Sequence, residues 1–111
     1  MNETENGRRY AYISGPITGN SYYKAAFRQA ERLLSSMGYE TINPARLNEY
    51  LPKSATWEDY MKLAIASEDL CDTIYMLAGW TFSRGATEEH ARALERGMNI
   101  IYQEVSGDED S

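Results

Sequence analysis

Two adjacent glutamates in the stretch SRGATEEHARALERG, Ser83–Gly97, have opposite surroundings once the stretch is drawn as a helix. Ala86, His90, Ala93, Leu94 and Gly97 share one side, and Glu89 lies there too, three after Ala86 and four before Ala93. Glu88 lines up instead with Arg92, four residues on, as a solvent-facing ion pair. A carboxylate turned toward a core is costly to bury alone, so Glu89 has either a partner or a task. A raised pKa or activation is the usual companion of such a position. The competing reading is a helix rotated slightly, with Glu89 at its margin. Gly85, Ala86 and Ala93 leave room for something to pack beside it.

The second group with chemical potential is Ser14-Gly15-Pro16-Ile17-Thr18-Gly19-Asn20, directly after the apolar run Tyr10–Ile13. Glycine lets a backbone approach a ligand closely. Ser14 and Thr18 supply hydroxyls, and a helix start supplies N–H groups suited to a small anion. The G-x-x-x-G spacing is neither the G-x-G-x-x-G of dinucleotide folds nor the lysine-containing phosphate loop. Taken alone, the loop fits a tight turn without a ligand equally well.

Composition excludes several classes. Acids outnumber bases 17 to 11, a net charge of -6, which argues against a nucleic-acid polymer as partner. Cys71 is the only cysteine and His90 the only histidine, so one chain assembles neither a disulfide nor a Cys/His zinc site. No signal peptide and no apolar run of membrane-spanning length stands out, so a cytoplasmic protein without a membrane partner is expected. No cofactor or metal is implied.

The elements that must position these residues alternate. Tyr10–Ser14 reads as a strand and Tyr22–Met37 as an amphipathic helix closed by Gly38, with Tyr23, Ala26, Phe27, Ala30, Leu33, Leu34 and Met37 as its stripe. Tyr39–Asn43 reads as a second strand, ended by Pro44. Residues 45–55 read as a loop with room for a short extra helix. Thr56 fits an N-cap with Asp59 as capping-box acid, ahead of a stripe of Trp57, Tyr60, Met61, Ala64 and Ile65. Thr73–Leu77 is the third strand, Ala86–Arg96 the third long helix, and Asn99–Tyr102 the fourth strand. Strands alternating with helices imply a single α/β domain over residues 8–103, a small doubly wound parallel sheet of Rossmann-like or flavodoxin-like type. Residues 1–7 and 104–111 read as flexible tails. Ligands of such sheets bind at the carboxyl ends of the strands, which here carry residues 14–20, 43–44 and 78–85.

Taken together, YISGPITG at Tyr12–Gly19, NPA at Asn43–Ala45, TWEDYMK at Thr56–Lys62 and the long run Cys71–Tyr102 resemble the nucleoside 2-deoxyribosyltransferase superfamily. The resemblance is strongest to a small branch associated with phages and prophages, and it covers nearly everything but the tails. It implies cleavage of the N-glycosidic bond of 2′-deoxynucleosides or their monophosphates, with deoxyribosyl passed to another base or to water. The family motif S-x-G-x-x-x-E-x-x-x-A falls on Ser83, Gly85, Glu89 and Ala93, which makes Glu89 the nucleophile. Tyr12 takes the place of the tyrosine that accompanies it. The resemblance further implies that Ser14, Gly15, Pro16, Ile17, Thr18 and Gly19 hold the sugar or 5′-phosphate end. Asn43, Asp59, Gly79, Trp80, Ser83 and Gly85 complete the expected substrate contacts. It also implies a homodimer or larger homo-oligomer. One departure stands out: the aspartate that many relatives carry eight residues ahead of Asp72 is Ala64 here. Asp59 either substitutes for it or only caps its helix, and Asp72, at the far end of its strand, reads as structural. Two other functions compete with the enzyme. One is a nucleotide-binding module without turnover. The other is an interaction protein using Trp80 and Phe82.

Overall fold

The computed structural model describes residues 9–104. Four strands, β1 (Tyr10–Ser14), β2 (Glu40–Ile42), β3 (Thr73–Met76) and β4 (Asn99–Tyr102), pair in the order β2-β1-β3-β4, every pair parallel. Helices α1 (Tyr23–Ser36), α3 (Trp57–Asp69) and α4 (Arg84–Arg96) make the crossovers. The chain moves outward from β1 to β2, then returns past β1 to build β3 and β4 on the other side. This is the small doubly wound α/β domain that the alternation implied. Its strand order reverses between β1 and β3, the place where their carboxyl ends part and leave a crevice.

Right-handed crossovers in opposite directions put the helices on opposite faces. Alternation along β1 then assigns its side chains. Ala11 and Ile13 join Phe27, Ala30 and Leu34 of α1 in one core cluster. Tyr12 joins Ala64 of α3 and Ala86 and Ala93 of α4 in the other.

The boundaries differ from the sequence reading in small ways with local causes. Helix α1 is one residue shorter at each end than Tyr22–Met37, and Leu33 and Met37 of its expected stripe are 45% and 43% exposed. Gly38, at φ +93, takes the left-handed conformation that ends the helix. Tyr39 and Asn43 flank β2 instead of belonging to it. Asn43 is the N-cap of a four-residue helix, α2 (Pro44–Leu47), accepting from the Ala45 N–H at 2.9 Å. A 3-10 turn at Asn48–Tyr50 follows, so the expected loop does hold short helical structure. Thr56 and Asp59 form the full capping box that opens α3. Apart from Glu104, the tails expected at 1–7 and 104–111 lie outside the described residues. Among the described residues, no helix is long and apolar enough to cross a membrane.

Candidate active site

Glu89 sits in the second turn of α4, with Ala86 before it and Ala93 after it as the helix's other buried residues. It is 7% exposed. Ser83 caps this helix by accepting the Ala86 N–H at 3.2 Å, which satisfies one of the free donors at its start. Because Tyr12 and Ser14 are two apart on β1, both point to the α4 side. The Tyr12 hydroxyl donates to Glu89 Oε2 at 3.0 Å, and the Ser14 hydroxyl donates to Oε1 at 2.5 Å. Each carboxyl oxygen thus has its own hydroxyl donor.

Burial pushes the Glu89 carboxyl up to about 7, while the Ser14 and Tyr12 hydrogen bonds pull the other way. The Tyr12 phenol is held well above its ordinary value, first by burial and then by the Glu89 charge, so it stays a donor. A carboxylate poised near neutrality, with two fixed donors and an opening beside it, suits nucleophilic or acid–base work.

That opening is a cavity of about 720 Å³ at the β1/β3 switch point. Its size falls in the range of roughly 300–1,000 Å³ typical of small-molecule sites. One side is the first loop, Ser14 to Thr18, and Ser83, Gly85, Ala86 and Glu89 form another. Gly15 is obligatory here, since a Cβ would stand 2.7 Å from Leu77 Cβ where β1 and β3 separate. Gly85 lets α4 approach α3, with Met61 Sδ 3.3 Å from where a Cβ would be. Aromatic rings supply much of the remaining wall: Tyr23 and Phe27 from α1, Trp57 and Tyr60 from α3, and Phe82 from the 3-10 turn Trp80–Phe82. Arg84 lies with its guanidinium 3.8 Å above the Trp57 ring. Glu49 brings a second carboxylate to the wall, bridged to Lys24 at 2.9 Å and held below the usual carboxylate range by that ammonium.

Of the residues expected in the site, Tyr12, Ser14, Gly15, Pro16, Ile17, Thr18, Ser83, Gly85 and Glu89 line this cavity together. Ser14 is tied to Glu89 and is not a free loop hydroxyl. Five expected residues stand away from the wall. Gly19, at φ +76, makes the turn that leads into α1. Asn43 is used as a cap. Asp59 exchanges hydrogen bonds with Thr56, at 2.9 and 3.1 Å, and is solvent-exposed, so it acts as the capping acid. Gly79, at φ +86, turns the chain beside Pro16. Trp80 stacks on His90, ring centroids 4.2 Å apart. Ala64 does line the cavity, as a bare methyl group.

Two expectations about α4 are corrected. Glu88 is solvated but pairs backward with Arg84, at 3.6 Å, while Arg92 forks onto Asp69 of the neighbouring α3. Leu94 is 61% exposed, so it does not share the inward face. Among the described residues, no cluster of three or more His, Cys, Asp or Glu side chains stands ready to hold a metal ion.

Residues 9–102 match the family model described as "Domain of unknown function (DUF4406)". The chain belongs to that family. The DUF4406 match runs from the residue before β1 to the last residue of β4, so the whole sheet, all three crossovers and every wall of the cavity lie within it. Comparison with curated proteins gives no match.

Proposed function

We propose that this DUF4406 chain cleaves the N-glycosidic bond of a 2′-deoxynucleoside or its monophosphate, with Glu89 as nucleophile and water or a second base as acceptor. The observation that carries the reading is the Glu89 carboxylate, buried at the cavity with one hydroxyl donor on each oxygen. As the base departs, C1′ gains oxocarbenium character. A Glu89 oxygen stabilises that charge and closes on C1′ to give a glycosyl ester, which the acceptor then opens. Tyr12 and Ser14 hold the carboxylate at a fixed angle through both steps. The ring-lined wall suits a planar base, and the first loop suits the sugar and its 5′ end. A second copy of the chain is the proposed partner.

A specific observation also supports binding without turnover. The leaving base needs a proton; Ala64 has none to give, and Glu49, the other carboxyl of the wall beside Glu89, is held ionised by Lys24.

One assay separates the two readings. Purified protein is incubated with a panel of deoxynucleosides and their monophosphates, and free base is followed by chromatography, with Glu89→Ala alongside. Release that falls by a factor on the order of 10³ or more in the variant is the expected result. Binding without release in the wild type points to the module, and release that survives Glu89→Ala removes the nucleophile.

A further inference from the structure

Helix α3 presents a second acid to the interior. Glu68 is fully buried, and neither carboxyl oxygen has a hydrogen-bond partner. It follows Ala64 by one turn on the same helical face. Ala64 lines the cavity and Glu68 does not, so this acid lies behind the wall, on the side of the sheet that holds Glu89.

The groups that face Glu68 leave it without a counter-charge of its own. Glu89, Arg92 and Arg96 act on it from α4 and Asp69 from α3, while Tyr12 of β1 and Cys71 ahead of β3 feel its charge in turn. Both arginines are engaged elsewhere. Arg92 forks onto Asp69, and Arg96 donates to the backbone carbonyls of Glu68, Asp69 and Cys71 where α3 ends. Glu89, by contrast, accepts from two hydroxyls.

Of two interacting buried carboxyls, the one with hydrogen-bond donors holds the negative charge and the one without keeps the proton. We propose that Glu68 is a positioning residue: it stays neutral behind the cavity wall, so that the single negative charge of the pair resides on Glu89. Glu68 then acts only through Glu89 and touches no ligand. The direction of both titrations agrees, since burial and the Glu89 charge push Glu68 to about 8, above Glu89 at about 7. The usefulness of this arrangement rests on Glu89 being the working acid, as in the preceding reading, but the pairing is measurable without substrate.

The test is a carboxyl-carbon NMR titration of glutamate-labelled protein from about pH 4 to about pH 10, spanning the ordinary and raised carboxyl ranges. Glu68→Gln and Glu89→Gln assign the signals. The expected wild-type result is two raised steps, Glu89 ionising first and Glu68 second. Glu68→Gln loses the upper step and keeps the lower one. In Glu89→Gln, Glu68 ionises at lower pH than in the wild type, because its neighbour's charge is gone. This second arm decides the matter if Glu68→Gln does not fold. Glu68 ionising in the ordinary carboxylate range, or unmoved by Glu89→Gln, overturns the proposal. Coupled steps in a protein that releases no base leave the pair standing and remove only the enzymatic reading.

Discussion

Strand β1 contributes alternate residues to two layers with opposite chemistry. On the α1 side, Ala11 and Ile13 meet Phe27, Ala30 and Leu34, and the cluster is apolar but for the Tyr39 and Tyr75 hydroxyls. On the α3/α4 side, Tyr12 and Ser14 meet Glu89, and Glu68 lies buried in the same layer. The first layer can be close-packed because it carries no charge and only those two hydroxyls, of which that of Tyr39 accepts from the Asn99 side-chain amide. The second has to answer for every buried polar atom, and it leaves two carboxyl oxygens unanswered. A parallel sheet with one stabilising face and one chemical face divides its tasks by residue parity, so a one-residue slip of β1 would exchange them.

The comparison predicts separable defects. Leu34→Ala, deep in the α1 layer, should lower unfolding free energy by about 2–5 kcal/mol while base release per folded molecule stays as in the wild type. Urea unfolding combined with the release assay checks this, and a parallel loss of activity would mean that the layers are not independent.

The α3/α4 layer should instead announce itself through pH. Glu89 ionises near 4.5 in the unfolded chain and at about 7 in the folded one. Between those values the folded protein binds more protons. Stability is therefore full below the unfolded pKa and declines as pH rises to about 7, by up to about 3 kcal/mol. Glu89→Gln should flatten that part of the slope and leave only the share of Glu68. Denaturant midpoints at about pH 5 and about pH 8 measure it. An unchanged slope in the variant would place the titration elsewhere.

The smallest expected effect comes from Tyr12→Phe, which keeps the ring in the core and removes one donor from Glu89 Oε2. Stability should change by about 1 kcal/mol. The Glu89 carboxyl should move further up, since that bond lowers its pKa. A rise of about one pKa unit would reduce the ionised fraction, and base release at neutral pH, by about fivefold. A Glu89 signal that does not move in the variant would show that Ser14 alone sets the carboxylate.

Local patterns made much of this legible in the chain. Strands β1 and β4 have the bounds read from the sequence, Tyr10–Ser14 and Asn99–Tyr102, and the Thr56–Asp59 box is a four-residue signal that needs no tertiary knowledge. Glu89 was readable because Ala86 and Ala93 bracket it at helical spacing. What escaped depends on neighbours distant in sequence. Arg92 pairs with Asp69 because α3 packs along α4, which no i,i+4 rule contains. Asn43 looked like a ligand contact and proved to be a cap, since the short helix it starts was hidden by Pro44. The aromatic wall from α1 and α3 depends on which residues reach the switch point, and only the assembled sheet shows that. Glu68 was within reach: it follows Met61 by seven and Ala64 by four, in line with the buried stripe of α3.

Gly85 has a consequence for the calibre of the chamber. Its backbone is ordinary helix, so no dihedral demand excludes alanine, the better helix former by up to about 1 kcal/mol. A methyl group there would have to push the Met61 sulfur back by a few tenths of an ångström, between α3 and α4. The bore beside Glu89 is therefore governed by a hydrogen where almost any other residue brings carbon, and local helix strength is given up to keep it open.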